Sequence, residues 1–250
     1  MGKVTILGTS SAVPDENHEN THMVIQEAGR VILVDCVGSP VQRLKSARID
    51  YDSISDIILT HFHPDHVSAT PLLLMALWLM GRKAPINIYG LHDTLDRMKT
   101  MLDLFDWKNW PGFFPLAFFP MDEAESVLIN DSFIKVTAIP VKHLVPTIGI
   151  RVDFKRSGKS MAYSCDTEPC PAVEQIANGV DVLIHEAAGN TVGHSSAGQA
   201  AEMAKKTGAQ SLYLIHYPVG VETRVRLLEE ARNTFDGPVS LAKDLQVIEF

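Results

Sequence analysis

The succession of apolar and polar segments predicts an α/β fold of two sheets packed face to face, with helices on their outer faces. Three observations support this. Both halves of the chain are rich in strand patterns interleaved with helical ones, the order expected of layered α/β architectures. Several short apolar runs stop abruptly on a histidine or aspartate, as buried strands do where they leave a sheet. No stretch of linker composition interrupts the 250 residues, so a single domain spanning residues 1–250 is expected.

In the first half, strands are read at 4–7, 23–26 and 31–35, the last two joined by the turn Ala28-Gly29-Arg30. A helix starting near Ser39 or Pro40 carries Val41 and Leu44, and the strand at 54–59 follows it. Beyond Asp65 a helix rich in Leu and Met is predicted to run to about Met80, then a strand at 86–89 and a helix at 94–105. The second half repeats the arrangement in outline. Strands at 133–139, 148–154 and 160–164 precede a helix at 171–177, a strand at 182–184, a helix at 197–206, a strand at 211–215 and a helix at 221–232. No tandem repeat of solenoid spacing is present.

Composition narrows the class. A hydrophobic fraction of 46% and a charged fraction of 21% suit an ordinary globular protein. The apolar stretch 67–80 is too short to span a bilayer. The first residues run straight into a strand pattern without the regions of a signal peptide, and Cys36, Cys165 and Cys170 are odd in number with no CxxC pair. A cytoplasmic protein without disulfides or a membrane partner is expected, with Cys165 a small buried residue. A formal charge of −8 and the lack of a basic stripe disfavour long nucleic acid as a ligand.

The chemistry is concentrated in Thr60-His61-Phe62-His63-Pro64-Asp65-His66, directly after the apolar Ile57-Ile58-Leu59. Imidazole and carboxylate suit borderline divalent ions, and an open catalytic zinc needs only three protein ligands, so this turn predicts more than one metal. Three further residues stand at strand ends, from which side chains of one sheet edge converge: His143, Asp166 and His216. A lone histidine after a strand is ordinarily structural; three such positions accompanying an HxHxDH turn reverse that reading.

With these pieces in view, nearly the whole chain resembles the metallo-beta-lactamase superfamily, and most closely its ribonuclease Z-like branch. The HxHxDH turn carries the superfamily resemblance. The branch is carried by 7–14 (LGTSSAVP), Asp35, 140–143 (PVKH), 164–167 (SCDT), 185–187 (HEA), 194–197 (HSSA) and 215–217 (IHY). The resemblance implies the four-layer αββα sandwich of the metallo-beta-lactamase type. It implies one Zn2+ held by His61, His63 and His143 and a second by Asp65, His66 and His216, with Asp166 bridging; Mn2+ or Fe are alternatives. The implied activity is that of a dinuclear metal-dependent hydrolase, a phosphodiesterase or ribonuclease Z-like enzyme using a metal-bridging hydroxide. Independently of any family, two ions about 3.5–4 Å apart would polarise a phosphoryl oxygen and acidify a bridging water. A lactone or thioester would meet the same Lewis acid and hydroxide, which makes carbonyl ester hydrolysis the alternative.

Three residues are expected to act alongside the metals. Asp65 has a second oxygen to serve as general base; His194 follows Gly193 on a turn, and the resemblance implies that it assists at the phosphate, where it is expected to stabilise charge on the phosphoryl oxygens or protonate the leaving group; Glu186 is expected to orient His194. Asp35 is expected to support the metal turn, whereas His18, His22, His92 and His185 are read as structural. The aromatic run Phe105, Trp107, Trp110, Phe113, Phe114, Phe118, Phe119, broken by Pro111, Gly112 and Pro115, is read as either an apolar wall beside the metals or a dimer contact, the second being preferred, so that a homodimer is expected. Ribonuclease Z enzymes that mature tRNA carry a long arm, in many members between the segments matching His143 and Asp166. Only 22 residues separate those two positions here, enough for a hairpin around Lys155-Arg156-Ser157-Gly158-Lys159 and no arm. The expected substrate is a small or cyclic phosphodiester ahead of an RNA end.

Overall fold

In the computed structural model, which describes residues 1–250 except the side chains of Val221 and Glu222, strands β1 (Lys3–Gly8), β2 (His22–Glu27) and β3 (Arg30–Val34) open the chain. Ala28 and Gly29 both adopt positive φ, the turn that matches the twist of a two-residue hairpin between β2 and β3. Helix α1 (Pro40–Ser46) starts on a proline, whose missing N–H would be unsatisfied there in any case, and leads to β4 (Asp56–Ile58).

The single helix expected past Asp65 is two: α2 (Pro64–Val67) and α3 (Thr70–Leu79). Pro71 has no N–H with which to continue a ladder, and the Ala69 N–H instead donates to Cys36 O at 3.0 Å. Together with the Cys36 N–H to His66 O bond of 2.8 Å, this staples the turn and α2 to the end of β3.

β5 (Ile86–Leu91) and α4 (His92–Asp103) match expectation, but the segment read as irregular contains a strand, β6 (Leu116–Met121). Pro115 and Pro120 hide it from the pattern; Pro120 is tolerated because β6 is an edge strand. Much of the aromatic run is absorbed by the chain itself. Phe114 is buried beneath α3 and α4, Trp107, Phe113 and Phe118 pack on the same cluster, and Trp78 stacks on Trp110 with centroids 5.1 Å apart. Phe105 and Phe119 stay exposed.

The second half comprises β7 (Ser126–Asn130), β8 (Ile134–Val141), β9 (Thr147–Phe154), β10 (Lys159–Tyr163), α5 (Pro171–Ala177), β11 (Val182–Glu186), α6 (Ala197–Thr207), β12 (Leu212–Ile215), α7 (Val221–Arg232), β13 (Val239–Leu241) and β14 (Val247–Glu249). β7, β13 and β14 were invisible to periodicity, the last two because three residues carry too little pattern. Ser196 Oγ accepts from the Gln199 N–H while Gln199 Oε1 accepts from the Ser196 N–H, a reciprocal cap that fixes where α6 begins and hence where His194 and Ser195 lie.

The strands form two seven-stranded sheets, β14-β1-β2-β3-β4-β5-β6 and β13-β12-β11-β10-β9-β8-β7. Ile6, Ile25, Ile32 and Val34 of the first meet Val136, Ile150, Val152 and Ile184 of the second in a central core. A second core lies between the first sheet and α1, α3 and α4, and a third between the second sheet and α5, α6 and α7, which gives the αββα order. Strands β3, β4 and β5 run parallel, as do β10, β11 and β12, and β8 shares their direction through antiparallel β9. Their carboxyl ends therefore lie on one edge, where ligands gather in open α/β sheets. Among the described residues no helix is long and apolar enough to cross a membrane.

Candidate metal centre

Six strand ends supply this edge. β3 leads to Asp35, β4 to the Thr60–His66 turn, β8 to His143, β10 to Asp166, β11 ends at Glu186 and β12 leads to His216. Three of these ends are strained: Asp35, Cys165 and His216 have φ of 61°, 53° and 52°, in the left-handed region that side chains with a Cβ rarely enter. Such residues persist where their surroundings hold them, and they cluster at functional sites.

Asp166 is buried and central. Its Oδ2 lies 3.2 Å from His216 Nε2, 3.6 Å from His66 Nε2, and 4.0 Å from both His61 Nε2 and His143 Nε2. Two donor sets flank it, His61 with His63 and His143, and Asp65 with His66 and His216, the ligand atoms within each set lying within 4.8 Å of one another. The geometry thus brings together all seven residues singled out in the sequence. A third grouping joins His143, Asp166 and His194.

The outer hydrogen bonds define which nitrogens face inward. Asp35 accepts from the Thr60 backbone N–H, Thr60 Oγ1 and His66 Nδ1, each at 2.8 Å. Thr60 Oγ1, having donated to Asp35, accepts from His61 Nδ1 at 3.1 Å. His143 Nδ1 donates to Gly193 O at 2.7 Å. With Nδ1 engaged outward, His61, His66 and His143 each turn Nε2 into the site. Two of them crowd His63 Nδ1, at 3.0 Å from His61 and 3.3 Å from His143. Facing lone pairs repel unless a proton or cation lies between them. At the second set His66 Nε2, His216 Nδ1 and Asp166 Oδ1 are buried with no hydrogen-bond partner, an arrangement native interiors avoid.

Electrostatics point the same way. Burial holds His61 well below the usual imidazole range, lowers His63 and His143, and pushes His216 down to about 4, so these rings stay neutral, as metal ligation requires. Burial also disfavours charge on Asp166, yet the imidazoles that ring it hold its carboxyl well below the usual carboxylate range. His66 is the exception: against its burial, Asp166 and Asp35 raise it well above normal. Imidazole nitrogens, unmatched acceptors and a central carboxylate are a donor set that fits divalent metal.

Glu186 and His194 form a second pair. Glu186 Oε1 accepts from His194 Nδ1 at 3.0 Å and from the Thr167 N–H at 2.9 Å, and Oε2 accepts from the Ala188 N–H at 2.8 Å. Burial pushes the Glu186 carboxyl up to about 7, and the bond to Glu186 raises His194. His194 stands beside the donor sets, its centroid 5.0 Å from that of His143 and 6.0 Å from that of His216.

Of the residues read as structural, His22 is buried with Nδ1 bonded to Asn20 O, His185 is buried behind Glu186, His18 bonds Asp15, and His92 is exposed at the start of α4. Cys165 is buried, its Sγ 3.6 Å from His61 Nδ1, and burial raises its thiol well above normal. Thr60 was not anticipated as the link between His61 and Asp35; its only signal was its place as the first residue of the turn.

The family described as the beta-lactamase superfamily domain matches residues 30–217. Ribonuclease Z of Methanothermobacter thermautotrophicus is 28% identical over 312 residues, covering 100% of this chain and 97% of its own. Ribonuclease Z of Mycobacterium marinum is 27% identical over 283 residues, covering 100% and 99%. Both alignments are longer than this chain, so each relative carries stretches without a counterpart here. Among solved structures, the metallo-beta-lactamase fold protein YhfI from Bacillus subtilis superposes with a TM-score of 0.84 at 22% identity over 100% of this chain and 99% of that one. Human tRNase Z, short form, superposes with 0.76 at 25% identity over 99% and 98%.

Proposed function

The chain belongs to the beta-lactamase superfamily, and on that premise we propose that it is a ribonuclease Z-like, metal-dependent hydrolase that cleaves phosphodiesters in a single domain. The observation that carries the metal reading is the carboxylate Asp166 Oδ2 ringed by four imidazole nitrogens within 4.0 Å, in a site with more acceptors than protons. His61, His63 and His143 would hold one divalent cation, zinc in our reading, Asp65, His66 and His216 a second, and Asp166 would serve both. Bound there, such ions supply Lewis acidity towards a phosphoryl oxygen and an acidified water as nucleophile.

The chain's own residues do the rest. Asp65, partly open to solvent, accepts the proton the attacking water gives up. His194, tethered at Nδ1 by Glu186, keeps Nε2 free to hand a proton to the leaving oxygen. Asp35 and Thr60 hold His66 and His61 in the tautomers that face the centre. The preference for a small phosphodiester or a bare RNA end rests on the β9–β10 hairpin, which fills the whole interval between His143 and Asp166, and on the charge of −8. Our reading includes a cytoplasmic homodimer, contacting through the exposed face around Leu104 and Phe105; sedimentation as a monomer at micromolar concentration would refute that part.

The test is elemental analysis of purified protein followed by turnover of bis(p-nitrophenyl) phosphate, a 2′,3′-cyclic nucleotide, a pre-tRNA and a lactone, with and without metal. Two metal equivalents and phosphodiester turnover are expected. Turnover of the lactone alone overturns the reading.

A further inference from the structure

Glu168 lies two residues beyond Asp166, and nothing in the sequence marked it. Its backbone N–H donates to Lys142 O at 2.8 Å and its Oε2 meets Lys142 Nζ at 2.5 Å, which fixes the carboxylate beside the loop that carries His143. Its Oε1 accepts the Gly193 N–H at 3.0 Å. The carbonyl of the same glycine accepts from His143 Nδ1 at 2.7 Å, and the next residue is His194. Gly193 is thus gripped on both sides, and its φ of +83° favours glycine. A Cβ there would lie 3.0 Å from His143 Nδ1 and 2.9 Å from Leu144 Cγ. Within the 189–194 turn, Thr191 N–H donates to Gly189 O at 2.9 Å and His194 N–H to Thr191 O at 3.0 Å; Asn190 meets Gln199 and the His194 ring meets Glu186, while the backbone of Gly193 is held to the body by Glu168 and His143.

We propose that Glu168 is a positioning residue that, through Gly193, sets the tautomer of His143 and couples the placement of His143 to that of His194. The proposal rests on the metal-centre reading above, but its first readout needs neither metal nor activity. With the Gly193 carbonyl in place, His143 keeps its proton on Nδ1 and its lone pair on Nε2. With the tip released, that acceptor is lost and the ring is free to take the other tautomer. Gln at 168 can still accept from the Gly193 N–H, whereas Ala cannot and Asp is one methylene too short.

Long-range imidazole 15N–1H spectra of the metal-free protein, with zinc titration by calorimetry, test this on the parent, Glu168→Ala, Glu168→Asp and Glu168→Gln. The parent and Glu168→Gln should show His143 protonated at Nδ1 and bind zinc within about 3-fold of each other. Glu168→Ala and Glu168→Asp should show mixed tautomers and bind one zinc equivalent about 10–100-fold more weakly, the usual cost of losing an outer hydrogen bond at a metal histidine. If Ala prevents folding, Asp carries the comparison with Gln. A parental His143 spectrum in Asp or Ala, even with a lowered melting temperature, overturns the proposal. Failure of phosphodiester turnover in the parent would instead count against the function and leave the tautomer result standing.

Discussion

Two buried aspartates, Asp56 and Asp166, sit at opposite ends of the sandwich in opposite surroundings. Asp56, at the start of β4, accepts from Arg30 Nη1 at 2.7 Å, Ser55 Oγ at 2.6 Å and Asn87 Nδ2 at 3.0 Å, while Arg30 also reaches Asp131. Every close neighbour is a donor. Asp166 faces imidazole nitrogens whose protons are largely committed outward, and its Oδ1 has no partner. A buried carboxylate surrounded by donors is complete as it stands, whereas one surrounded by lone pairs is complete only with cations. Burial alone does not separate structure from function; the sign of the neighbours does.

Substitutions at the two positions break the comparison most directly. Asp166→Asn is expected to lower phosphodiester turnover by at least about 10³-fold and to lose bound metal, yet to leave the metal-free fold as stable as the parent, as read by elemental analysis and thermal melts. Chelation of the parent should lower its melting temperature, and zinc at about 100 times Kd should restore roughly 2.7 kcal/mol, a response missing in Asp166→Asn. His194→Ala should reduce kcat about 10²-fold with metal content unchanged, and unaltered kcat at equal metal would remove its role as proton donor. Asp56→Asn should do the reverse of Asp166→Asn, costing about 2–3 kcal/mol in urea unfolding with activity per folded molecule intact, less than the roughly 3–5 kcal/mol of a fully buried pair because Arg30 is partly exposed.

The smallest effect concerns pH. His185 is buried with Nε2 unpartnered, and burial pushes it down to about 4. Its folded value lies below its unfolded value of about 6.5, so the unfolded chain binds the extra proton and stability falls as pH drops from about 6.5 towards 4. The loss at pH 5 relative to pH 8 should be about 2 kcal/mol smaller in His185→Asn than in the parent, measured by urea unfolding at each pH. Equal losses would show that His185 does not titrate on unfolding.

The convergence of the seven donor residues was legible in the sequence because they lie in the turn after one apolar run or at the ends of others, and strand ends on one edge must meet; the Glu186–His194 pair was legible from the family resemblance and from the turn at Gly193. The outer support was legible only in part: Asp35 was expected to steady the turn, but its partners were not foreseen. Asp35 bonds three groups across 25 and 31 residues of chain, and no periodicity encodes such contacts. The positive φ of Cys165 and His216 left no trace, since neither is a glycine. The break between α2 and α3 was in principle visible at Pro71, but the continuous Leu and Met pattern outweighed it. β6 was lost to its prolines, which signal a breaker in the interior of a sheet and are harmless at its border.

The hairpin between β9 and β10 turns at Ser157 and Gly158, at the end of the strands opposite the donor sets, and β9 alone is eight residues, about 25 Å, long. A recognition module spliced into that tip would be anchored at a built-in ruler's length from the scissile bond and would reward only ligands long enough to touch both marks. With the tip as short as it is, the proposed activity would have to select its ligand from the groups around the donor sets themselves.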